Sequence, residues 1–456
     1  MRNFNGKEMK SKHLYIQTFG CQMNVHDSEQ MASVLRKADY EYTDNMMLAD
    51  LIILNTCSIR EKAAQKAYSQ LGRIARLKKL NPDLIIGVGG CLAQHLGTKF
   101  YKKAACLDFV FGTHNIHLLP EIVNSVRKER KKITETDFHA CISSMNVFAP
   151  PSEGSLGAFV TIMQGCNNFC AYCVVPYLRG REVSRPPGDI TSEIQKLADL
   201  GIKEVTLLGQ NVNSYGKTLN HGTNFTSLIK EIGKISGIER IRFTTSHPRD
   251  LSEELMNRFA DEKKLCPHIH LPVQSGSNRV LKLMNRGYTI EAYMKKIEYL
   301  RNIAPGISIT SDLIVGFPGE TIEDYQETID MMEKIRFDST FSFKYSEREG
   351  TAAQKLKDKV EEKEKLRRLE ALQKLQDRHT LERNTALEGS VQEILIEGKS
   401  KNTESDLTGR TGSWKIVNFK GESDLVGDTV LVKITKAHLH SLRGTLEKNK
   451  EGGHVN

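Results

Sequence analysis

The sequence predicts an α/β multidomain protein: an N-terminal open parallel α/β sheet, a central partial six-stranded βα barrel, and a small C-terminal antiparallel β-barrel. Three observations predict it. Residues 13–140 alternate short apolar runs with charged helical stretches, the pattern of a parallel sheet covered on both faces. The alternation resumes at Ala158 for six further units. From about Ala386 it gives way to short alternating strands separated by Gly and Asp, the pattern of a small antiparallel barrel. The implied segments are a tail 1–12, a domain 13–140, a linker 141–157, a barrel 158–380, a module 383–446 and a tail 447–456.

Length agrees, since 456 residues exceed one ordinary domain. Met1 to Lys12 is charged and has no apolar core, so it does not read as a signal peptide. No stretch reaches the roughly 20 apolar residues of a membrane span. These features predict a cytoplasmic protein with no membrane partner. Nine cysteines, an odd number, favour metal ligation over disulfides in a reducing compartment. Lys plus Arg number 65 against 56 Asp plus Glu, a surplus that suits a polyanionic partner and equally an ordinary soluble surface.

In the first domain the expected strands are His13 to Phe19, Leu51 to Asn55, Leu84 to Val88 and Phe109 to Phe111. Helical stretches lie between or beyond them at Asp27 to Lys37, Arg60 to Lys79 and Leu118 to Arg130. Three of the strands lead into a cysteine, at Cys21, Cys57 and Cys91, spaced 36 and 34 residues apart or about one βα unit each. Open α/β sheets bind ligands beyond the carboxyl ends of their strands, so these thiols should meet at one edge. Any one of them alone reads as a small buried hydrophobe; three at equivalent positions favour a metal cluster. Gly87-Val88-Gly89-Gly90 lacks the full dinucleotide fingerprint and is set aside. Residues 131–157, with Lys131-Lys132 and Ala149-Pro150-Pro151, read as an interdomain linker.

The central barrel opens on Phe159 to Met163 and then Cys166, Cys170 and Cys173, a C-x3-C-x2-C run. Thiolates so close together can converge on one soft metal centre, and three are one short of the four that usually hold a 4Fe–4S cluster. One iron would then remain open to a substrate or cofactor. A zinc knuckle would want a fourth Cys or a His nearby, and none follows before His221. The next strands are expected at Glu204 to Leu208, Arg240 to Thr244, Ile269 to Val273, Ser308 to Val315 and Thr340 to Tyr345. Their helical partners include Asp189 to Leu200, Phe225 to Ile235 and Ile322 to Ile335. Polar residues cluster at the strand ends: Gly209-Gln210-Asn211, Thr245-Ser246-His247, Gln274-Ser275-Gly276 and Gly316 to Glu320. His268 and His270 read as a packed, hydrogen-bonded pair rather than a metal site. Val360 to Arg383 reads as a helix packed on the barrel, with Leu366, Leu369, Leu372 and Leu375 on one face.

The last module should have strands at Gly389 to Ile396, Trp414 to Phe419 and Asp428 to Ile434. It carries 11 Lys or Arg against 10 Asp or Glu from Arg383 onward, so an RNA face would depend on placement. The candidates are Arg410, Trp414, Lys415, Lys433, Lys436, His438 and Arg443; an oligosaccharide- or protein-binding barrel is the alternative. Cys106, Cys141 and Cys266 have no partner pattern.

The run from Cys166 to Cys173, continued by Val174-Val175-Pro176-Tyr177-Leu178-Arg179-Gly180-Arg181-Glu182, resembles the radical S-adenosylmethionine methylthiotransferase family. Thr18 to Asn24, Asn55 to Ala63 and Gly90 to Gln94 resemble the three cysteine motifs of its amino-terminal domain. Gly409-Arg410-Thr411, Val426-Gly427-Asp428 and His440 to Gly444 resemble its TRAM module. The match runs from residue 13 to about 446 and departs at Leu178, where the branch commonly has Thr.

The resemblance implies two 4Fe–4S clusters, one on Cys166, Cys170 and Cys173 and an auxiliary one on Cys21, Cys57 and Cys91. It implies S-adenosylmethionine, two per turnover, as radical source and methyl donor. Tyr172, Gln210, Asn211, Ser246, Gln274, Ile314 and Gly316 would bind it. The substrate implied is the anticodon stem-loop of tRNA, methylthiolated at carbon 2 of N(6)-isopentenyl-adenosine; relatives act on threonylcarbamoyl-adenosine or on a ribosomal protein. An electron donor such as flavodoxin or ferredoxin, and a sulfur source, would complete the reaction. A two-cluster redox carrier and a zinc-dependent RNA-binding protein are the competing classes.

Overall fold

A computed structural model describes residues 11–58, 61–138, 147–219, 222–400, 403 and 405–447. Cys141, Ile59, Arg60, most of both tails and the start of the linker lie outside the described residues. The chain forms two compact units. The first comprises residues 1–167, 174–197 and 208–210; the second comprises 168–173, 198–207 and 211–456.

The first unit is built on a six-stranded parallel sheet. Its strands are β1 (Lys12–Thr18), β2 (Tyr40–Tyr42), β3 (Leu51–Thr56), β4 (Ile85–Gly90), β5 (Phe109–Phe111) and β6 (Ile133–Glu135), in the order β2-β1-β3-β4-β5-β6. The three-residue edge strands β2 and β6 carry too short an apolar signal to be read from sequence. Alternation along β3 divides the core. Leu51 and Ile53 join Met31, Leu35, Ile122 and Val126 on one face, while Ile52 and Leu54 join Leu71, Ile74 and Phe100 on the other. The covering helices are α1 (Gln22–Arg36), α2 (Glu61–Leu80), α3 (Cys91–Leu96), α4 (Phe100–Lys103) and α5 (Leu119–Glu129). Helix α1 begins five residues before the expected Asp27, because Asn24 Oδ1 accepts the Cys21 N–H at 3.4 Å and starts the first turn. The glycines of β4 serve packing: a Cβ on Gly87 would lie 2.1 Å from the Phe109 ring and one on Gly89 2.2 Å from Phe111.

The unit continues through β7 (Gly157–Thr161), an antiparallel pair β8 (Met163–Gln164) and β9 (Val183–Ser184), and helices α6 (Val175–Leu178) and α7 (Pro187–Asp199, its last two residues excepted).

The second unit carries β10 (Glu204–Leu208, its last residue excepted), β11 (Arg240–Phe243), β12 (His268–His270), β13 (Ser308–Val315) and β14 (Ser339–Lys344). With β7 these are the six expected strands. Within the unit β10 pairs with β11, and β12, β13 and β14 form a sheet, all in parallel register. Strand β12 ends at His270 instead of Val273, since Pro272 lacks a donor and Gln274 turns the chain at φ +74°. His270 Nδ1 lies 3.0 Å from Thr310 Oγ1, and His268 stacks on Trp414, so both rings are packed. Five helices alternate with the strands: α8 (Phe225–Gly233), α9 (Glu253–Asp261), α10 (Asn278–Leu283), α11 (Ile290–Ile303) and α12 (Ile322–Ile335).

Helix α13 (Glu362–Thr385) follows, but the leucine stripe is not its buried face. The buried line is Arg368, Leu372, Gln376 and His379, spaced four, four and three residues apart, while Leu366 is 44% exposed. Polar members of that line find partners: Arg368 donates to Glu320, and Gln376 Nε2 donates to Phe337 O at 2.9 Å.

The last module is a closed five-stranded barrel of β15 (Val391–Lys399), β16 (Asp406–Thr411), β17 (Ile416–Lys420), β18 (Thr429–Ala437) and β19 (Leu442–Leu446), in the order β15-β16-β17-β19-β18. Ile394, Ile396, Leu407, Val417, Phe419, Val432, Ile434 and Leu442 fill it. Strand β17 starts at Ile416, because Trp414 adopts φ +73° in the preceding turn.

Candidate cluster and cofactor sites

In the first unit Cys21 follows β1, Cys57 follows β3 and Cys91 opens α3 directly after β4. A buried polar network ties these three connections. Asn24 Nδ2 donates to Asn55 Oδ1 at 3.1 Å, and Asn55 Nδ2 donates to Asn24 O at 2.8 Å and to Ser28 Oγ at 2.9 Å. Thr56 Oγ1 donates to Gly89 O at 2.6 Å. Buried amides satisfied this way rigidify what they join. Gly90, at φ +87°, would place a Cβ 2.4 Å from Thr56 O, so glycine alone lets the Cys91 turn come this near the Cys57 connection. Asn24, Asn55 and Thr56 lie inside the cysteine motifs, yet residue type alone did not announce their role.

Cys57 and Cys91 are 2% and 6% exposed. Burial pushes the Cys91 thiol up to about 11; Arg179 opposes the rise, and Cys57 and Cys21 add to it. Cys57 and Cys21 therefore lie within electrostatic reach of Cys91. Among the described cysteines none is disulfide-bonded. Among the described residues no three His, Cys, Asp or Glu side chains close tightly around a single ion, so the fit is judged on the donor set. Three soft thiols on one sheet edge, Cys57 and Cys91 buried and Cys21 half-buried, fit an iron–sulfur cluster.

Arg179, just beyond α6, meets this triad. Its Nη2 donates to Asp27 Oδ2 of α1 at 2.5 Å, with side chains only 5% and 7% exposed. Burial alone would lower its pKa; Asp27 and Cys91 together hold it above the ordinary range. Val174 and Leu178 pack against Cys91, and Thr113 Oγ1 donates to Leu178 O at 2.9 Å. The chain that follows the C-x3-C-x2-C run thus forms one wall of the auxiliary triad, which sequence spacing did not suggest.

Cys166 also belongs to the first unit. Its N–H donates to Gly180 O at 3.2 Å, and the Gly165 N–H donates to Gln210 Oε1. Gln210, expected to touch a cofactor, uses its carbonyl to hold this turn.

Cys170 and Cys173 belong to the second unit, where the loop is pinned by Ala171 N–H donating to Met284 O at 2.9 Å and Ala353 N–H donating to Ala171 O at 2.8 Å. Cys170 Sγ accepts from Arg286 Nη1 at 3.3 Å, as does the Tyr172 hydroxyl. Asn211 Nδ2 donates to Asp250 at 2.7 Å, leaving its buried Oδ1 without a partner. Ser246 Oγ, both amide atoms of Asn213 and the Tyr345 hydroxyl are likewise buried and unpaired. All four residues follow strand ends, of β10, β11 and β14. Native proteins rarely leave such atoms unpaired, so the group suits a polar ligand. Asn213 and Tyr345 were not expected; Asn213 lay in the same polar run as Asn211. Gln274 bridges Leu313, and its carbonyl accepts from Ile314 N–H at 3.0 Å. Gly316, at φ +69°, donates its N–H to Glu320 Oε1 at 2.8 Å, and the Lys365 stem lies where its Cβ would be.

The expected RNA residues divide. Arg242 of β11 donates to Thr411 O at 2.9 Å and Gly412 O at 2.7 Å, with its guanidinium 4.3 Å above the Trp414 ring. Lys415 pairs with Asp338 at 3.0 Å, Arg410 with Glu397 at 2.9 Å and Arg443 with Asp406 at 2.6 Å. Trp414 and Lys415 therefore join the small barrel to the rest of the second unit. Lys433, Lys436 and His438 are exposed.

Residues 160–332 match the Radical SAM superfamily, 13–112 the Uncharacterized protein family UPF0004, and 385–446 the TRAM domain. The chain is similar to a curated tRNA-2-methylthio-N(6)-dimethylallyladenosine synthase of Syntrophus aciditrophicus, 61% identical over 438 residues, 96% of this chain and 95% of that one. It is 50% identical to a protein of the same name from Geobacter sulfurreducens over 442 residues, 97% and 99% of the two chains. Among solved structures it resembles the radical S-adenosylmethionine methyltransferase TsrM of Kitasatospora setae with cobalamin and a [4Fe-4S] cluster bound. That likeness has a TM-score of 0.55 at 13% identity and covers 76% and 77% of the chains. The cobalamin-dependent radical enzyme OxsB, with aqua-cobalamin and S-adenosylmethionine bound, gives 0.52 at 15% identity over 83% and 60%. At these identities the solved structures speak to fold alone.

Proposed function

The chain belongs to the family of tRNA-2-methylthio-N(6)-dimethylallyladenosine synthases, and from that premise we propose that it methylthiolates carbon 2 of N(6)-isopentenyl-adenosine beside the anticodon of tRNA. The observation that carries the reading is the Asn24–Asn55–Thr56 network, which gathers Cys21, Cys57 and Cys91 at one sheet edge.

Cys166, Cys170 and Cys173 would hold one 4Fe–4S cluster with an iron open to S-adenosylmethionine, and Cys21, Cys57 and Cys91 a second. When bound, these groups and two S-adenosylmethionines supply one-electron chemistry, sulfur and a methyl group, which an aromatic C–H bond requires because no acid/base pair can activate it. The chain's own residues do the rest. Asn211, Asn213, Ser246 and Tyr345 offer unpaired polar atoms to S-adenosylmethionine. Gly316, whose missing Cβ leaves room for the Lys365 stem, shapes the end of β13. Tyr172, Gln210, Gln274 and Ile314 act on this site by shaping its loops. Lys433, Lys436 and His438 provide the exposed basic strip for tRNA, with Arg443 opposite Lys436 on β19. The segments 13–140, 158–380 and 383–446 are proposed as the working domains. A flavodoxin- or ferredoxin-type donor and a separate sulfur source are the remaining partners. No helix among the described residues is long and apolar enough to cross a membrane, which accords with a cytoplasmic site of action.

The substrate is tested with anticodon stem-loops. RNA carrying isopentenyl-adenosine should be methylthiolated and the same RNA with plain adenosine should react poorly, as read by mass spectrometry of digested RNA. Efficient modification of threonylcarbamoyl-adenosine or of a ribosomal protein would overturn the assignment.

A further inference from the structure

Arg286 is 3% exposed, and among the described residues no carboxylate pairs with it. The guanidinium follows α10, where Asn285 turns the chain at φ +57°. Each of its three nitrogens donates: Nη2 to Pro272 O at 2.6 Å, Nε to the Tyr288 hydroxyl at 3.1 Å, and Nη1 to both the Tyr172 hydroxyl and Cys170 Sγ at 3.3 Å. A buried cation without a counter-anion is costly, and removing it from water is repaid only by a negative group in contact. Cys170 Sγ, at 3.3 Å, is the sulfur that this charge faces.

His247 approaches the same sulfur. Its Nδ1 accepts the Arg249 N–H at 3.2 Å, which makes Nδ1 the unprotonated nitrogen and puts the ring proton on Nε2. Nε2 lies 4.0 Å from Cys170 Sγ and so presents that proton to it.

We propose that Arg286 and His247 are positioning residues that, through two N–H···S contacts to Cys170, raise the reduction potential of the cluster this cysteine would ligate. The inference rests on the reading that Cys166, Cys170 and Cys173 bind a 4Fe–4S cluster. Donors and positive charge at a ligand sulfur draw electron density from it and stabilise the reduced, more negative state. The consequence is chemical: a less negative potential brings the centre within reach of a protein reductant.

The test is a potentiometric titration of the full-length holoprotein in which Cys21, Cys57 and Cys91 are all Ala, so that one cluster titrates, followed by electron paramagnetic resonance. Arg286→Gln should retain iron and shift the oxidised-to-reduced ratio at fixed potential about tenfold toward oxidised, some 59 mV for a one-electron couple. Arg286→Lys, which keeps the charge, should shift it less, and His247→Phe, which keeps the ring packing but not the donor, should shift it in the same direction as Arg286→Gln. If Arg286→Gln fails to assemble a cluster, His247→Phe decides alone. Full iron with an unchanged potential in the neutral variants overturns the proposal, as does an unchanged potential with weakened S-adenosylmethionine binding, which would make Arg286 a cofactor ligand. No iron in the background protein would instead overturn the cluster reading itself.

Discussion

Asp27 and Arg179 are 152 residues apart in sequence and meet in the interior of the first unit beside Cys91. Such a pair is weak evidence for stability as a whole, but removing one partner strands the other charge. Asp27→Ala should therefore destabilise the first unit by about 3–5 kcal/mol, whereas Asp27→Leu combined with Arg179→Met should cost much less than the two single changes added together. Urea unfolding followed by circular dichroism measures it. The single tryptophan, Trp414, lies in the second unit, so its fluorescence transition should stay put. Additive costs would mean that the two side chains act independently. At this scale the six cysteines stand out in the sequence as candidate ligands because they are soft donors at repeated positions. Arg179 was visible only as a letter in a basic run, since its partner is fixed by tertiary folding. Asn213 and Tyr345 were hidden for a related reason: an unpaired buried polar atom is a property of the packed loop, not of residue type.

Helix α13 shows where periodicity misleads. Leucines at 366, 369, 372 and 375 step by three and drift around a helix of 3.6 residues per turn, so they cannot all face one surface. The buried line is instead built from Arg368, Leu372, Gln376 and His379, three of them polar and invisible to a hydrophobicity count. Leu372→Ala should cost about 2–5 kcal/mol. Leu366→Ala, at an exposed position, should stay within about 0.5 kcal/mol. Both are read from the urea transition of Trp414 fluorescence; equal costs would restore the leucine stripe as the packing face. The strands fared better, because β10 and β13 are continuous apolar or alternating runs whose limits the sequence marks. Strand β12 ended early where Pro272 breaks the ladder. In the small barrel the aromatic Trp414, an obvious candidate for base stacking, is covered instead by Arg242 and His268. Its left-handed turn, rather than its residue type, decides which way it faces.

For the whole molecule, the three-part architecture was legible from the change in pattern at the linker and again near Ala386. What composition could not reveal is that the two compact units divide inside the cysteine loop, between Asn167 and Asn168. A compact unit is defined by long-range packing, and the helix after that loop packs its Val174 and Leu178 on Cys91, far back in the chain. The central claim is that the two cysteine triads hold separate clusters with separate tasks. The most direct measurement compares two triple-Ala variants of the full chain for iron content, 5′-deoxyadenosine and methylthiolated nucleoside under reducing conditions. Replacing Cys166, Cys170 and Cys173 should remove one cluster's worth of iron and abolish 5′-deoxyadenosine. Replacing Cys21, Cys57 and Cys91 should remove the same amount of iron, leave 5′-deoxyadenosine formation intact and abolish methylthiolation. Full iron and methylthiolated product from the second variant would contradict the account, and would make those three cysteines packing residues.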